Sequence, residues 1–106
     1  MNGTFSVRHA ALTSQHEMPD SVSDTEFGRG SFLGQGFRVT RSASPSEARI
    51  EVYSKDRWWL MCRVCRLSSP VPQFHWAREW LRVGQAWRTG VETVAAEILS
   101  GGRDAA

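Results

Sequence analysis

Residues 48–67 read ARIEVYSKDRWWLMCRVCRL, and their pattern is the strongest indication of the fold. Its first seven residues alternate, because Ile50 and Val52 fall on one side of an extended chain and charged or amphipathic residues fall on the other. Lys55 and Asp56 supply a short turn, after which RWWLMCRVCRL continues with the aromatic and β-branched residues that are typical of strands. The stretch therefore predicts a β-hairpin.

The residues before the hairpin predict one more strand, and the residues after it predict the end of the sheet. FRVTRSA, residues 37–43, alternates well enough to complete a meander of about three antiparallel strands. FGRGSFLGQGF, residues 27–37, is interpreted as turns because of its glycines; it matches no phosphate-binding loop. Pro70 and Pro72 follow the hairpin and cannot sit in a central strand, so the sheet is expected to end there.

A different period begins at Trp76. Apolar residues then recur every three or four positions, which places them on one face of a helix. This stripe predicts one long helix, or two short helices if the Thr89–Glu92 capping box restarts it, ending at Gly101 and Gly102. Its members are Trp76, Trp80, Val83, Trp87, Val91, Val94 and Ile98.

These elements predict an α+β fold with a small antiparallel β-meander packed against the C-terminal helix or helices. Residues 1–26 are rich in polar residues and show no periodicity, so they are interpreted as a flexible N-terminal arm. Residues 27–106 are then a single small domain. A chain of 106 residues is long enough for one modest core.

Basic residues are concentrated in the second half of the chain. Between residues 57 and 88 there are six arginines against one acidic residue, and all five tryptophans lie in the same window. Arginine matches the geometry of phosphate, and an exposed tryptophan can stack on a base. The candidate residues for binding a nucleic acid or a partner are Arg57, Arg63, Arg66, Arg78, Arg82, Arg88 and Trp59.

Two functions remain open at this point. The first is a small non-enzymatic module that binds the nucleic-acid backbone through an arginine-rich surface, in a salt-dependent manner. The alternative is a protein-interaction or accessory subunit that docks a partner through exposed tryptophan and the apolar helix stripe, since Trp and Arg are frequent interface anchors. The same stripe is also what the core side of a helix looks like.

Cys62 and Cys65 allow a further alternative. An aromatic strand that leads into Cys-x-x-Cys resembles half of a zinc ribbon, which implies a zinc-knuckle-like module. This chain has no other cysteine, so the remaining ligands would have to be His75 or a second chain. If the stretch is a regular strand, however, Trp58, Leu60, Cys62 and Val64 share one face and Cys65 lies on the other. We therefore expect no metal site and interpret both cysteines as strand residues.

No pattern indicates an enzyme or a cofactor. His75 and Glu79 are four positions apart, which is more typical of a surface contact than of a catalytic pair, and no nucleophile motif accompanies them. No apolar run is long enough to span a bilayer, and the N-terminus lacks the features of a secretory signal. We therefore expect a non-enzymatic protein of the cytoplasm that does not associate with membranes.

Overall fold

Five strands form one antiparallel sheet in which sequence order is also spatial order. A computed structural model describes residues 18–105, with side chains described as far as Gly101. The elements are β1 (Glu26–Phe32), β2 (Gln35–Arg41), β3 (Ala48–Ser54), β4 (Arg57–Cys65), β5 (Gln73–Trp76), a short 3-10 helix (Arg78–Trp80) and the helix α1 (Gln85–Ala105). The predicted α+β meander with a C-terminal helix is confirmed, with five strands instead of about three and one helix.

The extra strand at the start, β1, comes from the glycine-containing stretch that was interpreted as turns. Only Leu33 and Gly34 form the turn there, with φ angles of 50° and 88°, and Phe32 pairs with Gln35 across it. Gly28 and Gly30 lie inside β1, opposite Val39 and Phe37. Glycines, which are typical of turns, are tolerated in this strand because Val94 and Ile98 of α1 lie directly over them.

The extra strand at the end, β5, follows the two prolines. Pro70 and Pro72 lie in the loop between β4 and β5 and therefore remove no hydrogen bond from the sheet. Residues 73–76 then pair with Cys65–Cys62 of β4. The prolines end β4 but not the sheet, so the expected boundary at residue 70 was wrong.

The tryptophan stripe is divided among three elements. Trp76 belongs to β5, Trp80 to the 3-10 helix, and only Trp87 to α1. Helix α1 begins at Gln85 and runs without interruption past Thr89. At its start, Gly84 O accepts hydrogen bonds from the amides of Trp87 and Arg88, both at 3.1 Å. The predicted start at Trp76, the restart at Thr89 and the end at the paired glycines were therefore wrong.

The core lies between α1 and one face of the sheet. Phe37, Val39, Ile50 and Val64 are fully buried on the sheet side, and Val91 and Ala95 are fully buried on the helix side, at 0% exposure. The aromatic rings of the divided stripe close one end: Trp87 stacks on Trp80 with centroids 5.9 Å apart and contacts the edge of Phe32 at 6.4 Å. The stripe thus belongs to the chain's own core, although its tryptophans reach that core from three elements.

A β-bulge in β4 reverses the expected faces within the cysteine stretch. Cys62 is opposite Ile50 and Leu60 is opposite Glu51, so Met61 is an additional residue between the two pairs. Trp58 and Leu60 consequently face away from α1, whereas Cys62 and Val64 face the core. The prediction that these four residues share one face was wrong because a period of two does not survive an inserted residue.

Residues 1–17 of the predicted flexible arm lie outside the described residues, so that part of the domain division stays a prediction. Residues 18–25 precede β1 and make defined contacts. The guanidinium group of Arg29 donates hydrogen bonds to Pro19 O at 2.5 Å and to Ser21 O at 2.7 Å. These bonds hold the segment before β1 against the sheet.

Candidate functional site

The sheet has a second face, which α1 does not cover. We call it the open face. The registers of the five strands place alternate side chains there, among them charged groups, aromatic rings and one leucine. These residues are Glu26, Arg29, Arg38, Arg49, Glu51, Tyr53, Trp58, Leu60, Arg63 and His75.

Two buried glutamates organise the arginines on β1, β2 and β3. Arg38 Nε donates to Glu51 Oε1 at 2.9 Å, and Arg49 Nε donates to Glu51 Oε2 at 3.1 Å. Arg29 Nε donates to Glu26 at 2.6 Å. The carboxylates are nearly covered, with side-chain exposures of 1% for Glu26 and 11% for Glu51, so the guanidinium groups lie closer to solvent than their partners. These three arginines are already paired within the chain.

Trp58 lies beside this network. The guanidinium carbon of Arg38 is 3.9 Å from the centroid of the Trp58 ring, and Tyr53 meets the same ring edge-on at 5.2 Å. Stacking of arginine on an aromatic ring is favourable and holds both side chains in place. The aromatic groups of the open face are therefore packed, and Arg38 covers much of what a flat ligand would use on Trp58.

A second row of side chains crosses the face and is paired incompletely. Arg49 on β3 lies directly opposite Arg63 on β4, and Arg63 lies opposite His75 on β5. Arg49 forms an ion pair with Glu51, but Arg63 makes no ion pair within the part of the chain that the structure describes. Arg63 and His75 are exposed. We call Arg49, Arg63 and His75 the cationic row, after the charges of its two arginines; His75 contributes a ring N–H donor.

One more carboxylate lies near the cationic row. Glu47 immediately precedes β3, and its Oε2 accepts a hydrogen bond from the thiol of Cys65 at 3.7 Å. Glu47 takes part in none of the ion pairs formed among the described residues. Its negative charge reduces the positive charge near the cationic row, although it forms no ion pair with an arginine there.

The residues predicted from sequence are distributed over several elements. Only Arg63 lies on the open face, while Arg57 and Trp59 lie together on the opposite side of β4, with the Arg57 guanidinium 3.8 Å above the Trp59 ring. Arg66 follows β4 with a φ of 60°, and the other three belong to the 3-10 helix, the loop after it and the start of α1. Arg88 is the least available of these, because its Nε donates to Val83 O at 3.1 Å.

Sequence reasoning missed the arginines on the first three strands. The alternation in FRVTR and ARIEVYS places Arg38, Arg49 and Glu51 on the polar side of their strands, and this signal could have found them. Arg29 could not have been found in this way, because its strand was interpreted as turns. Which arginines lie opposite one another depends on strand register, which no single strand reveals.

The two cysteines do not converge. Cys62 is fully buried among core residues, and Cys65 is partly exposed beside Glu47 on the other side of β4. Burial, followed by the charge of Glu92, raises the pKa of the Cys62 thiol to about 12. Among residues 18–101, no group of three or more His, Cys, Asp or Glu side chains is placed to hold a metal ion.

Comparison with protein-family models, with curated proteins and with solved structures found no match to this chain. Within the described residues, no helix has both the length and the apolar character needed to cross a membrane.

Proposed function

We propose that this protein is a small non-enzymatic binding module that takes the phosphate backbone of a nucleic acid on its open face. The observation that carries the proposal is the cationic row, in which Arg49 and Arg63 lie directly opposite each other and His75 continues the row onto β5. An anion is the ligand that such a row fits best.

Like charges on directly opposite residues of a sheet destabilise it. In this row, Glu51 offsets the charge of Arg49, but the structure describes no carboxylate paired with Arg63. Guanidinium groups match phosphate oxygens with two parallel hydrogen bonds, and such charge-assisted bonds are about twice as strong as neutral ones. A bound phosphate would therefore relieve the repulsion and use donors that the described residues leave available.

The dimensions of the row suit a polyanion better than a single small ion. Arg49, Arg63 and His75 stand on three neighbouring strands, which are spaced about 4.8 Å apart, so the row spans about 10 Å. A groove or flat surface of that length can meet successive phosphates of one strand. Among the described residues, α1 lies on the opposite face of the sheet, so it does not obstruct an extended ligand on the open face.

The test is binding to fluorescently labelled oligonucleotides of mixed sequence, measured by anisotropy at 50 and 200 mM salt. We expect Arg63→Gln to weaken binding roughly tenfold and to reduce the salt dependence by about one counterion, because one phosphate contact is lost. Arg82→Gln is the matched control: it removes the same charge from an exposed arginine that lies off the sheet. It should change affinity less than twofold.

Glu47→Gln is expected to change the affinity in the opposite direction from Arg63→Gln. Removing this negative charge beside the cationic row should strengthen binding several-fold at low salt and have less effect at high salt, because screening shortens the range of surface charges. Equal losses for Arg63→Gln and Arg82→Gln would contradict the proposal, since binding would then follow total charge and not the open face.

A protein-interaction module remains the second candidate, and one observation favours it. Trp59 is 39% exposed and is held next to Arg57, a combination that is frequent at protein interfaces. The helix stripe that was predicted to dock the partner packs against the chain's own sheet, so this candidate now depends on Trp59. Absence of nucleic-acid binding at 50 mM salt together with a defined oligomer in solution would favour it.

A further inference from the structure

The first half of β4 forms a free edge of the sheet. β5 pairs only with Cys62–Cys65, so Arg57–Leu60 has β3 on one side and no described strand on the other. Successive side chains of this segment point to opposite sides of the sheet. Trp58 therefore lies on the open face, and Trp59 lies on the other side of the same edge.

Trp59 is fixed in place while part of it stays in solvent. Its indole N–H donates to Ser54 O at 2.8 Å, and the Arg57 guanidinium covers one face of the ring, 3.8 Å from its centroid, which leaves the opposite face and the edges of the ring for a ligand. The residue is nevertheless 39% exposed. A ring that is already oriented loses little conformational entropy when a ligand stacks on it.

We propose that the ligand is a single-stranded nucleic acid, which passes from the open face around the free edge Arg57–Leu60 and stacks a base on Trp59. This inference rests on the proposed function, because it takes the cationic row as the place where the backbone binds. It adds the strandedness of the ligand and a second contact on the other side of the sheet.

Two physical arguments favour a single strand over a duplex. Bases of a single strand are free to stack on a protein ring, and each such stack contributes roughly 5- to 150-fold in affinity whatever the base. A duplex keeps its bases inside and has a persistence length of about 50 nm, so it cannot bend around an edge that is one β-strand wide. Arg57 on the Trp59 ring also favours a polyanion over an apolar partner, and Lys55 in the preceding turn adds a charge that Asp56 offsets.

The experiment compares a 15-nucleotide oligothymidylate with a 15-base-pair duplex, using the full chain, anisotropy at 50 mM salt and quenching of tryptophan fluorescence. We expect the single strand to bind at least tenfold more tightly. Trp59→Leu should weaken single-strand binding roughly 5- to 150-fold and leave duplex binding unchanged. Trp59→Phe, which keeps an aromatic face, should lie between the two.

Leu33→Ala is the matched control, because Leu33 is an exposed apolar residue, at 72%, in the turn between β1 and β2. It should bind both oligonucleotides as the unchanged chain does. Circular dichroism and thermal unfolding of each variant separate loss of a contact from loss of the fold.

The outcomes distinguish the two proposals. If Trp59→Leu weakens both ligands equally or neither, while Arg63→Gln still weakens binding, the single-strand inference is wrong and the proposed function stands. If the unchanged chain binds neither oligonucleotide, the proposed function fails and this inference fails with it.

Discussion

At the scale of single residues, neighbours in β4 have opposite environments. Cys62 is buried in the core and Cys65 contacts Glu47 near solvent, although only two residues separate them. Trp58 is packed under Arg38, whereas Trp59 is 39% exposed. The same residue type therefore has two environments in each case, because residues an odd number of positions apart in a strand face opposite sides of the sheet.

The buried thiol leads to a prediction about pH. The pKa of Cys62 is raised from 9.0 to about 12, so the folded chain keeps this proton at pH values where the unfolded chain loses it. The resulting contribution to stability is complete below pH 9 and is lost as the pH rises towards 12. The free energy of unfolding should fall by up to about 1.4 kcal/mol per pH unit in that window.

The measurement is urea unfolding of the unchanged chain and of Cys62→Ala between pH 7 and 10.5. The variant starts from a lower stability because it leaves a cavity, but it should lose less stability above pH 9. Parallel slopes for the two proteins would show that Cys62 does not titrate in this way. At pH 8, a thiol reagent should modify Cys65 quickly and Cys62 only after unfolding.

At the scale of elements, the close approach of α1 to β1 depends on glycine. An ideal Cβ atom at Gly30 would lie 2.8 Å from Val94 Cγ1, and one at Gly28 would lie 3.0 Å from Ile98 Cγ2. On the helix side, a Cβ at Gly90 would overlap the ring of Phe32. Glycine costs helix and strand stability in general, but here it allows the two elements to touch.

Gly90→Ala tests this packing. In an exposed helix position, alanine would stabilise the protein by about 1 kcal/mol, but overlap with Phe32 should reverse the sign and cost about 1–3 kcal/mol. Thr89→Ala, at an exposed position one residue earlier, is the control and should change stability by less than about 0.5 kcal/mol. Thermal unfolding measures both, and a stabilised Gly90→Ala would mean that α1 does not approach Phe32 as described.

At the scale of the whole molecule, one face of the sheet is covered by a helix and the other by its own charged side chains. Glu51 joins Arg38 on β2 to Arg49 on β3, and Glu26 adds Arg29 on β1. Arginine stems and guanidinium planes cover Trp58 and the sheet beneath them. Among the described residues, these side chains and the segment that Arg29 holds through Pro19 and Ser21 cover the open face, and α1 packs on the opposite face.

Glu51→Gln tests whether this network holds the molecule together. Replacing the carboxylate leaves two partly buried guanidinium groups without their charged partner, so we expect a loss of about 1.5–3 kcal/mol in the free energy of unfolding. Glu79→Gln, an exposed glutamate without an ion pair among the described residues, should cost less than about 0.5 kcal/mol. If Glu51→Gln and Glu79→Gln lower the free energy of unfolding equally in urea, the ion pairs of Glu51 do not stabilise the fold.

Only part of the candidate site, Arg63 of the cationic row among it, follows from patterns that a single strand or helix displays. The β3–β4 hairpin and the opposite orientation of Trp58 and Trp59 could be predicted from alternation. The bulge at Met61 could not be predicted, because it depends on how β4 pairs with β3 and with the residue after β5, and the sequence of β4 alone does not contain this information. β1 and β5 could not be predicted either. The glycines of β1 and the prolines before β5 indicate turns, and only the neighbouring strands and α1 show that these residues belong to or flank strands.

Residue types and local periods are enough to predict the α+β class, the hairpin and the apolar character of the tryptophan stripe, and they show the concentration of arginine in the second half of the chain. Which strands pair, and in which register, depends on the packing of the whole chain. That register makes Arg49, Arg63 and His75 one row, while the other predicted arginines lie elsewhere. Register is a long-range property. A shift of one residue would move every side chain of a strand to the other face.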